Sequence, residues 1–235
     1  MRVILHLGAY KTASTHIQRR LDLNAETLAQ AGVAVATPAT LRPALRRAEV
    51  GAGPAIAEAV RDAGLLGMAR IVVSEEQLPG PLRPMAQGQA FYRGAERRLA
   101  PIAEALAGQE VTVLLALRSY ADFYASAYGQ VIRGWRWIDF GTDERERILA
   151  ESRGWPDLVA DIYRAFPGRP VHVWRYEAMG RKPRPIWSAL VGQDRLSALA
   201  RRPGRTLRRP SQAAIERLMA FAATRGELSA AEVRQ

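Results

Sequence analysis

Within the run LHLGAYKTAST at residues 5–15, one glycine, one lysine and three hydroxyl residues lie close together. Gly8 follows an apolar stretch and lets the backbone turn tightly there. Lys11, Thr12, Ser14 and Thr15 then coincide with the expected start of a helix. The N–H groups of a helix's first turn lack intrahelical acceptors and point outward, where they bind an anion. The hydroxyls add hydrogen bonds, and the Lys11 ammonium adds a compact charge. Of the 34 basic residues, only Lys11 and Lys182 are lysine. A lysine in this loop therefore suggests a task that needs a point charge rather than a planar fork. The plainer alternative is a helix capped by Ser14 or Thr15, with Lys11 on the surface. Strand, glycine, lysine and hydroxyls together favour a loop that binds phosphate or sulfate.

Other residues fall where chemistry could be done. LALRSYADFYASAYGQ at 115–130 puts Arg118 at the end of an apolar run and Ser126 within the following helix. An arginine fork and a serine hydroxyl could converge on one phosphate; a surface arginine and an ordinary helix serine are the bland alternative. Tyr120, Phe123, Tyr124 and Tyr128 interleave with them as core or cleft wall, and one could stack on a base. Glu75 and Glu76 close the run VVSEE. A carboxylate facing a cleft can take a proton from an acceptor hydroxyl, although each could be merely structural or solvated. His16 is a rival base, whereas His6 and His172 lie in expected strands and read as packing residues. RRPGRTLRRP at 201–210 holds five arginines, among which Arg202, Arg205 and Arg208 are candidate phosphate contacts or solvated surface. Trp135, Arg136 and Trp137 could line an acceptor groove or form a hydrophobic lid.

The elements that must position these residues follow from periodicity and breakers. Strands are expected at 3–7, 33–37, 69–76, 111–117 and 170–176. Helices are expected at 14–22, 25–31, 55–66, 89–107, 120–133 and 155–166. Residues 38–54 carry no clear pattern, 79–88 read as a Pro/Gly-rich loop, and the remainder is mainly helical. Ser229 and Glu232 form a possible capping box. The continuous apolar run VTVLLAL is the pattern of a strand covered on both faces. Strands alternating with helices predict a three-layer α/β/α fold with a mostly parallel sheet. No repeat or linker is evident, so 1–235 reads as a single domain. Ligands in such sheets sit beyond the carboxyl ends of the strands, where Lys11, Glu75, Glu76 and Arg118 all fall.

Composition narrows the classes. The chain has 235 residues, of which 48% are hydrophobic and 24% charged, as expected for a folded protein with a substantial core. There is no cysteine, which excludes disulfides, thiolate metal sites and cysteine nucleophiles. The three histidines match no HExxH spacing. No apolar run approaches the roughly 18–20 residues of a membrane span, and VILHLG is too short for a signal peptide. A cytoplasmic protein of bacterial style is expected, with peripheral membrane contact still open. The net charge of +11 favours anionic partners. GxxxxGK[ST] and GxGxxG are both absent, which argues against an ordinary nucleoside triphosphatase and a dinucleotide fold.

HLGAYKTASTHIQRRL resembles the 5′-phosphosulfate loop of sulfotransferases that use 3′-phosphoadenylyl sulfate (PAPS), particularly the bacterial branch near the carbohydrate sulfotransferases. That resemblance implies a P-loop-like fold. It makes Lys11 the catalytic lysine, with Tyr10, Thr12, Ala13, Ser14 and Thr15 around the 5′-phosphosulfate. The family usually has glycine where this chain has Ala13, and alanine fits there if its φ is negative. The family also carries an arginine followed eight residues later by a serine, which implies that Arg118 and Ser126 bind the donor's 3′-phosphate. Glu76 best matches the family's glutamate and would be the base. Arg205 stands for a late basic loop that often closes the nucleotide site, and Glu177 matches a mostly structural Tyr-Glu.

The function implied is transfer of a sulfonyl group from PAPS to an acceptor hydroxyl on a saccharide, lipid or small molecule, releasing 3′,5′-adenosine diphosphate (PAP). No metal is required. Two other classes remain open: a P-loop-like nucleotide kinase, which would want the missing Walker motif, and a non-catalytic binder of nucleic acid or anionic glycan, with nucleic acid the less expected partner.

Overall fold

Among the described residues five short strands pair in parallel, and each begins or ends within a few residues of the run expected from its apolar pattern. The structure, a computed structural model, describes residues 1–47, 52–86, 91–134, 142–179 and 183–200, together with 204, 213, 214, 216, 217 and 220. In chain order the elements are β1 (Arg2–His6), α1 (Ser14–Leu23), α2 (Ala25–Gln30), β2 (Val33–Ala36), α3 (Pro38–Arg47), α4 (Ala52–Leu65), β3 (Arg70–Ser74), α5 (Leu82–Ala86), α6 (Ala95–Ala105), β4 (Glu110–Leu117), α7 (Tyr120–Gly134), α8 (Thr142–Ala150), α9 (Trp155–Ala165), β5 (Val171–Arg175), α10 (Tyr176–Met179) and α11 (Pro183–Val191), followed by a 3-10 turn (Gln193–Leu199).

The chain gathers into two compact units. The first comprises Met1–Gly80, Gly94–Arg118 and Trp155–Gly204 and holds the whole sheet, in the order β2-β3-β1-β4-β5. β1 lies at the centre, with His6 opposite Ser74 on one side and Leu114 on the other. Successive side chains of a strand point to opposite faces. Ile4, Val72 and Leu114 meet Ile17 and Leu21 of α1, Leu28 of α2, and Ile186, Trp187 and Leu190 of α11. The alternate residues Leu5, Val73 and Val113 are fully buried as well; α4 packs on β3, and α6 packs on α4 and α9. The chain is thus a three-layer α/β/α arrangement around a parallel sheet. α1 and α11 pack on one face of the sheet, whereas α4, with α6 against it, lies on the other, so the β1–α1 turn opens where the connections part. That is the position at which ligands bind in open α/β sheets.

The second unit comprises Pro81–Arg93, Ser119–Gly154 and Arg205–Gln235. In it α5 packs on α7, and the Phe91 ring meets Tyr92, Tyr120 and Phe123 edge-on. No helix among the described residues is long and apolar enough to cross a membrane.

Three expectations need correction. Residues 38–54 hold helix α3 and the start of α4. Pro38 suits a helix's first position, and the Thr37 carbonyl accepts from the amides of Thr40 and Leu41 at 3.0 and 2.8 Å. α4 begins ahead of the expected residue 55 because Gly53 packs against α6: a Cβ there would lie 2.6 Å from the Pro101 carbonyl. The loop expected at 79–88 contains α5. The helix expected at 89–107 is only Ala95–Ala105, because Tyr92 and Gly94 adopt φ of 47° and 76° and bend the chain before it. The capping box at Ser229 and Glu232 lies outside the described residues.

Ile17 is fully buried in the sheet-facing cluster and holds α1 down, whereas Leu65 is 81% exposed. Ile17→Ala should therefore destabilise the fold by about 2–5 kcal/mol and Leu65→Ala by no more than ~0.5 kcal/mol. Urea unfolding of the two variants beside the parent measures both.

Candidate functional site

β1 ends at His6, and the chain then turns through Leu7–Ala13 into α1. Gly8, Lys11 and Ala13 have φ of 37°, 65° and 63°. Left-handed residues are rare outside glycine, and each non-glycine one costs about 1 kcal/mol. Ala13 therefore differs from expectation: it sits in the left-handed region rather than at negative φ. It is the N-cap of α1, with a ψ of 22°. The amides of His16 and Ile17 turn back to its carbonyl at 2.9 and 3.1 Å. Alanine has no side chain with which to cap, so no side-chain cap bond forms here. The Ser14 and Thr15 amides precede these two and have no intrahelical acceptor.

Two contacts fasten this turn. The Thr12 hydroxyl, almost wholly buried, donates to the Ala9 carbonyl at 2.5 Å. Its proton is committed inside the loop rather than to an anion. Arg118, just past β4, donates from Nη1 to the Lys11 carbonyl at 2.7 Å. The Arg118 guanidinium also lies 4.7 Å from the Tyr176 ring centre, and the Trp155 indole donates to its carbonyl at 2.8 Å. Arg118 is brought to the loop, as its place at a strand end suggested, and there it holds the backbone at Lys11. Tyr10 and Ser14 are buried, Lys11 and Ala13 are half-buried, and Thr15 is exposed.

Beneath Gly8 lies His6, 1% exposed. Its Nδ1 is 2.8 Å from the Ser74 hydroxyl, and its ring stacks on Trp174 at 5.8 Å. Its Nε2 is buried and has no hydrogen-bond partner among the described residues. A Cβ on residue 8 would meet His6 Cε1 at 3.0 Å and Nε2 at 3.1 Å. Glycine is needed at 8 for this close approach as well as for its φ. His6 packs in its strand as expected, and its bond to Ser74 and its approach to Gly8 are added by the structure.

The carboxylates follow β3. Glu75 is 1% exposed and accepts a two-pronged contact from Arg42 of α3, Nε to Oε2 at 2.9 Å and Nη2 to Oε1 at 3.1 Å. The Gln77 amide adds a bond to Oε1 at 3.0 Å. Glu76 accepts from Arg42 Nη2 at 3.1 Å and from Gln18 Nε2 at 2.6 Å. The hydrogen bond to Glu75 and the charges of both carboxylates raise the Arg42 pKa against the opposing effect of burial. Neither Arg42 nor Gln18 stood out in the sequence. The one local signal was Gln18 falling one turn after Ser14 on α1.

His16 is exposed, its ring edge meets Trp187, and burial followed by the Arg20 charge lowers its pKa. His172 is exposed on β5 rather than packed inside, because β5 is an edge strand. Glu177 lies 3.7 Å from Arg175. Ser126 is half-buried on α7, in the second unit. Arg202, Arg205, Arg208, Trp135, Arg136, Trp137 and Lys182 lie outside the described residues. No cluster of metal-ligating side chains occurs among the described residues.

Burial lowers the His6 pKa from 6.5 to about 4. The unfolded chain therefore binds more protons than the folded one between those values, and stability falls as pH falls through that window. Between pH 7 and pH 4 this group costs on the order of 3 kcal/mol of stability. His6→Gln should flatten the stability–pH curve over that range by an amount of that order, read from urea midpoints at each pH. Parallel curves for parent and variant would contradict the assignment.

The chain matches no family model, no curated protein and no solved structure.

Proposed function

We propose that the protein is a PAPS-dependent sulfotransferase acting on an acceptor hydroxyl. One observation carries this reading: a lysine-bearing turn at the start of α1, and a carboxylate hydrogen-bonded to the same helix one turn further on. The first suits a leaving phosphate. The second suits the proton of an attacking hydroxyl.

In this reading the acceptor oxygen forms a bond to sulfur as the bond from sulfur to the donor's phosphate oxygen breaks. Attacking oxygen, sulfur and leaving oxygen lie in line, so catalysis is mostly positioning and charge stabilisation, by analogy with phosphoryl transfer. Lys11 and the first-turn amides of α1 offset the charge that grows on the departing phosphate. Glu76 accepts the acceptor's proton. Arg118 recognises the donor's 3′-phosphate from its place beside the Lys11 backbone, which distinguishes PAPS from nucleotides without that group. The acceptor is a saccharide, a lipid or a small hydroxylated molecule.

Donor recognition is tested by thermal unfolding with 3′,5′-adenosine diphosphate against 5′-adenosine monophosphate. A ligand at 100 times its Kd stabilises the folded state by about 2.7 kcal/mol. The diphosphate should raise Tm and the monophosphate should not, and Arg118→Ala should reduce the difference. Equal responses to the two nucleotides sink the reading. Catalysis is tested by transfer from labelled PAPS to a panel of saccharides, a glycolipid and hydroxylated small molecules. Lys11→Ala should lower turnover roughly 100- to 1000-fold while weakening 3′,5′-adenosine diphosphate much less. Slight and equal effects on both would remove Lys11 from the chemistry.

A further inference from the structure

We propose that Gln18 and Arg42 are positioning residues for the Glu76 carboxylate, and that Gln18 couples this carboxylate to the anion-binding turn through α1. The proposal rests on the sulfotransferase reading. It adds two residues to the machinery and gives Glu75 a purpose.

A carboxylate held by one hydrogen bond can still rotate about its terminal bond. Glu76 is held at both oxygens by donors from different elements. Oε2 accepts from Gln18 on α1 at 2.6 Å, and Oε1 accepts from Arg42 on α3 at 3.1 Å. Two anchors of independent origin fix the plane of the group. Each carboxylate oxygen has a further lone pair, so the clamp leaves Glu76 able to receive a proton.

The donors are themselves constrained. Gln18 is 6% exposed, and its amide also reaches the Ser74 carbonyl at 3.4 Å. Arg42 cannot swing to solvent without abandoning Glu75, which takes both Nε and Nη2. Glu75 is turned inward and held by the Gln77 amide, so it anchors Arg42 rather than competing with Glu76 as base. α3, which carries Arg42, is preceded by Thr37, whose hydroxyl donates to Asp22 of α1 at 2.7 Å.

Ser14, Gln18 and Asp22 are spaced four apart and share one face of α1. That face carries, in order, a hydroxyl of the anion-binding turn, the amide on Glu76, and the anchor for the Arg42 segment. The rise of an α-helix puts Gln18 about 6 Å along the axis from Ser14. A bound anion and Glu76 are therefore referred to one rigid element. A small displacement of an acceptor-activating group is costly, because reacting atoms must sit about 3–3.5 Å apart and aligned.

The test is a set of double-mutant cycles on PAPS turnover, using whichever acceptor of the panel above reacts fastest. Gln18→Ala and Arg42→Ala should each lower kcat about tenfold, with the KM for PAPS and the affinity for 3′,5′-adenosine diphosphate within twofold of the parent. Arg42→Lys should regain part of the loss. In a Glu76→Gln background, neither substitution should lower kcat further, because a residue that acts through Glu76 has nothing left to position. Arg42→Ala leaves Glu75 buried without its cation and could prevent folding; Gln18→Ala and Arg42→Lys then carry the test. Additive losses, or losses that fall on donor affinity, overturn the positioning roles while leaving the sulfotransferase reading intact. A parent protein that binds no 3′,5′-adenosine diphosphate, or transfers to no acceptor, overturns that reading and the positioning roles with it.

Discussion

Burial of one face of α1 is the constraint to which the rest of the site is referred. Ile17 and Leu21 are fully buried against the sheet, in one cluster with Ile4, Val72 and Leu114. At about 25 cal/mol per Å² of apolar surface, burial of two such side chains supplies several kcal/mol. That is comparable to the local cost of two non-glycine residues in left-handed conformation just before the helix, about 1 kcal/mol each. The turn at Lys11 and Ala13 is thus held in a conformation its own residues disfavour, because the helix after it is pinned and the strand before it is central. Arg118, just past β4, and the internal Thr12 bond close the remaining freedom.

With α1 pinned, the polar stripe that adjoins its apolar one acquires a fixed address. A helix presents residues at i, i+4 and i+8 along one side, so Ser14, Gln18 and Asp22 are placed together once Ile17 and Leu21 face inward. The polar stripe then reaches two elements far away in sequence: the segment after β3, through Gln18 to Glu76, and the segment before α3, through Asp22 to Thr37. Strand pairing contributes the same kind of order from below. His6 and Ser74 are register partners on β1 and β3, and their side chains bond beneath Gly8. The underside of the turn and the ends of the strands are therefore a single connected structure.

What could be read in the sequence was what depends on local pattern. β1, β3 and β4 are covered on both faces, so each appears as an apolar run, and a parallel sheet followed from their alternation with helices. The turn at Gly8 and the helix start at Ser14 were legible for similar reasons. What could not be read depends on contacts between distant segments. α3 has prolines at 38 and 43, and its start is supported by a Thr37 bond to Asp22, fifteen positions earlier. The turn that holds the left-handed Lys11 and Ala13 is fastened by Arg118, 107 positions from Lys11. Arg42 is one arginine among many, distinguished only by the two carboxylates 33 and 34 positions later that it meets in space. Neither charge pattern nor periodicity contains that information.

The carboxylate pair also bears on why such an arrangement would persist. Glu75 is 1% exposed, and taking an ionised carboxylate out of water costs several kcal/mol even after relaxation. Arg42 and the Gln77 amide compensate that cost, but a buried ion pair seldom stabilises a fold more than well-packed apolar side chains of similar volume would. Stability alone gives no reason to place two acidic groups around one guanidinium beyond the end of an interior strand. Geometry does. Because Arg42 is committed to Glu75, its remaining contact to Glu76 has a defined direction, and Gln18 supplies the second direction from α1. A fully solvated glutamate at position 76 would carry the same charge without any orientation. The expense of Glu75 is therefore best understood as the condition for an oriented Glu76, and orientation is of use only if something arrives at that carboxylate to meet it.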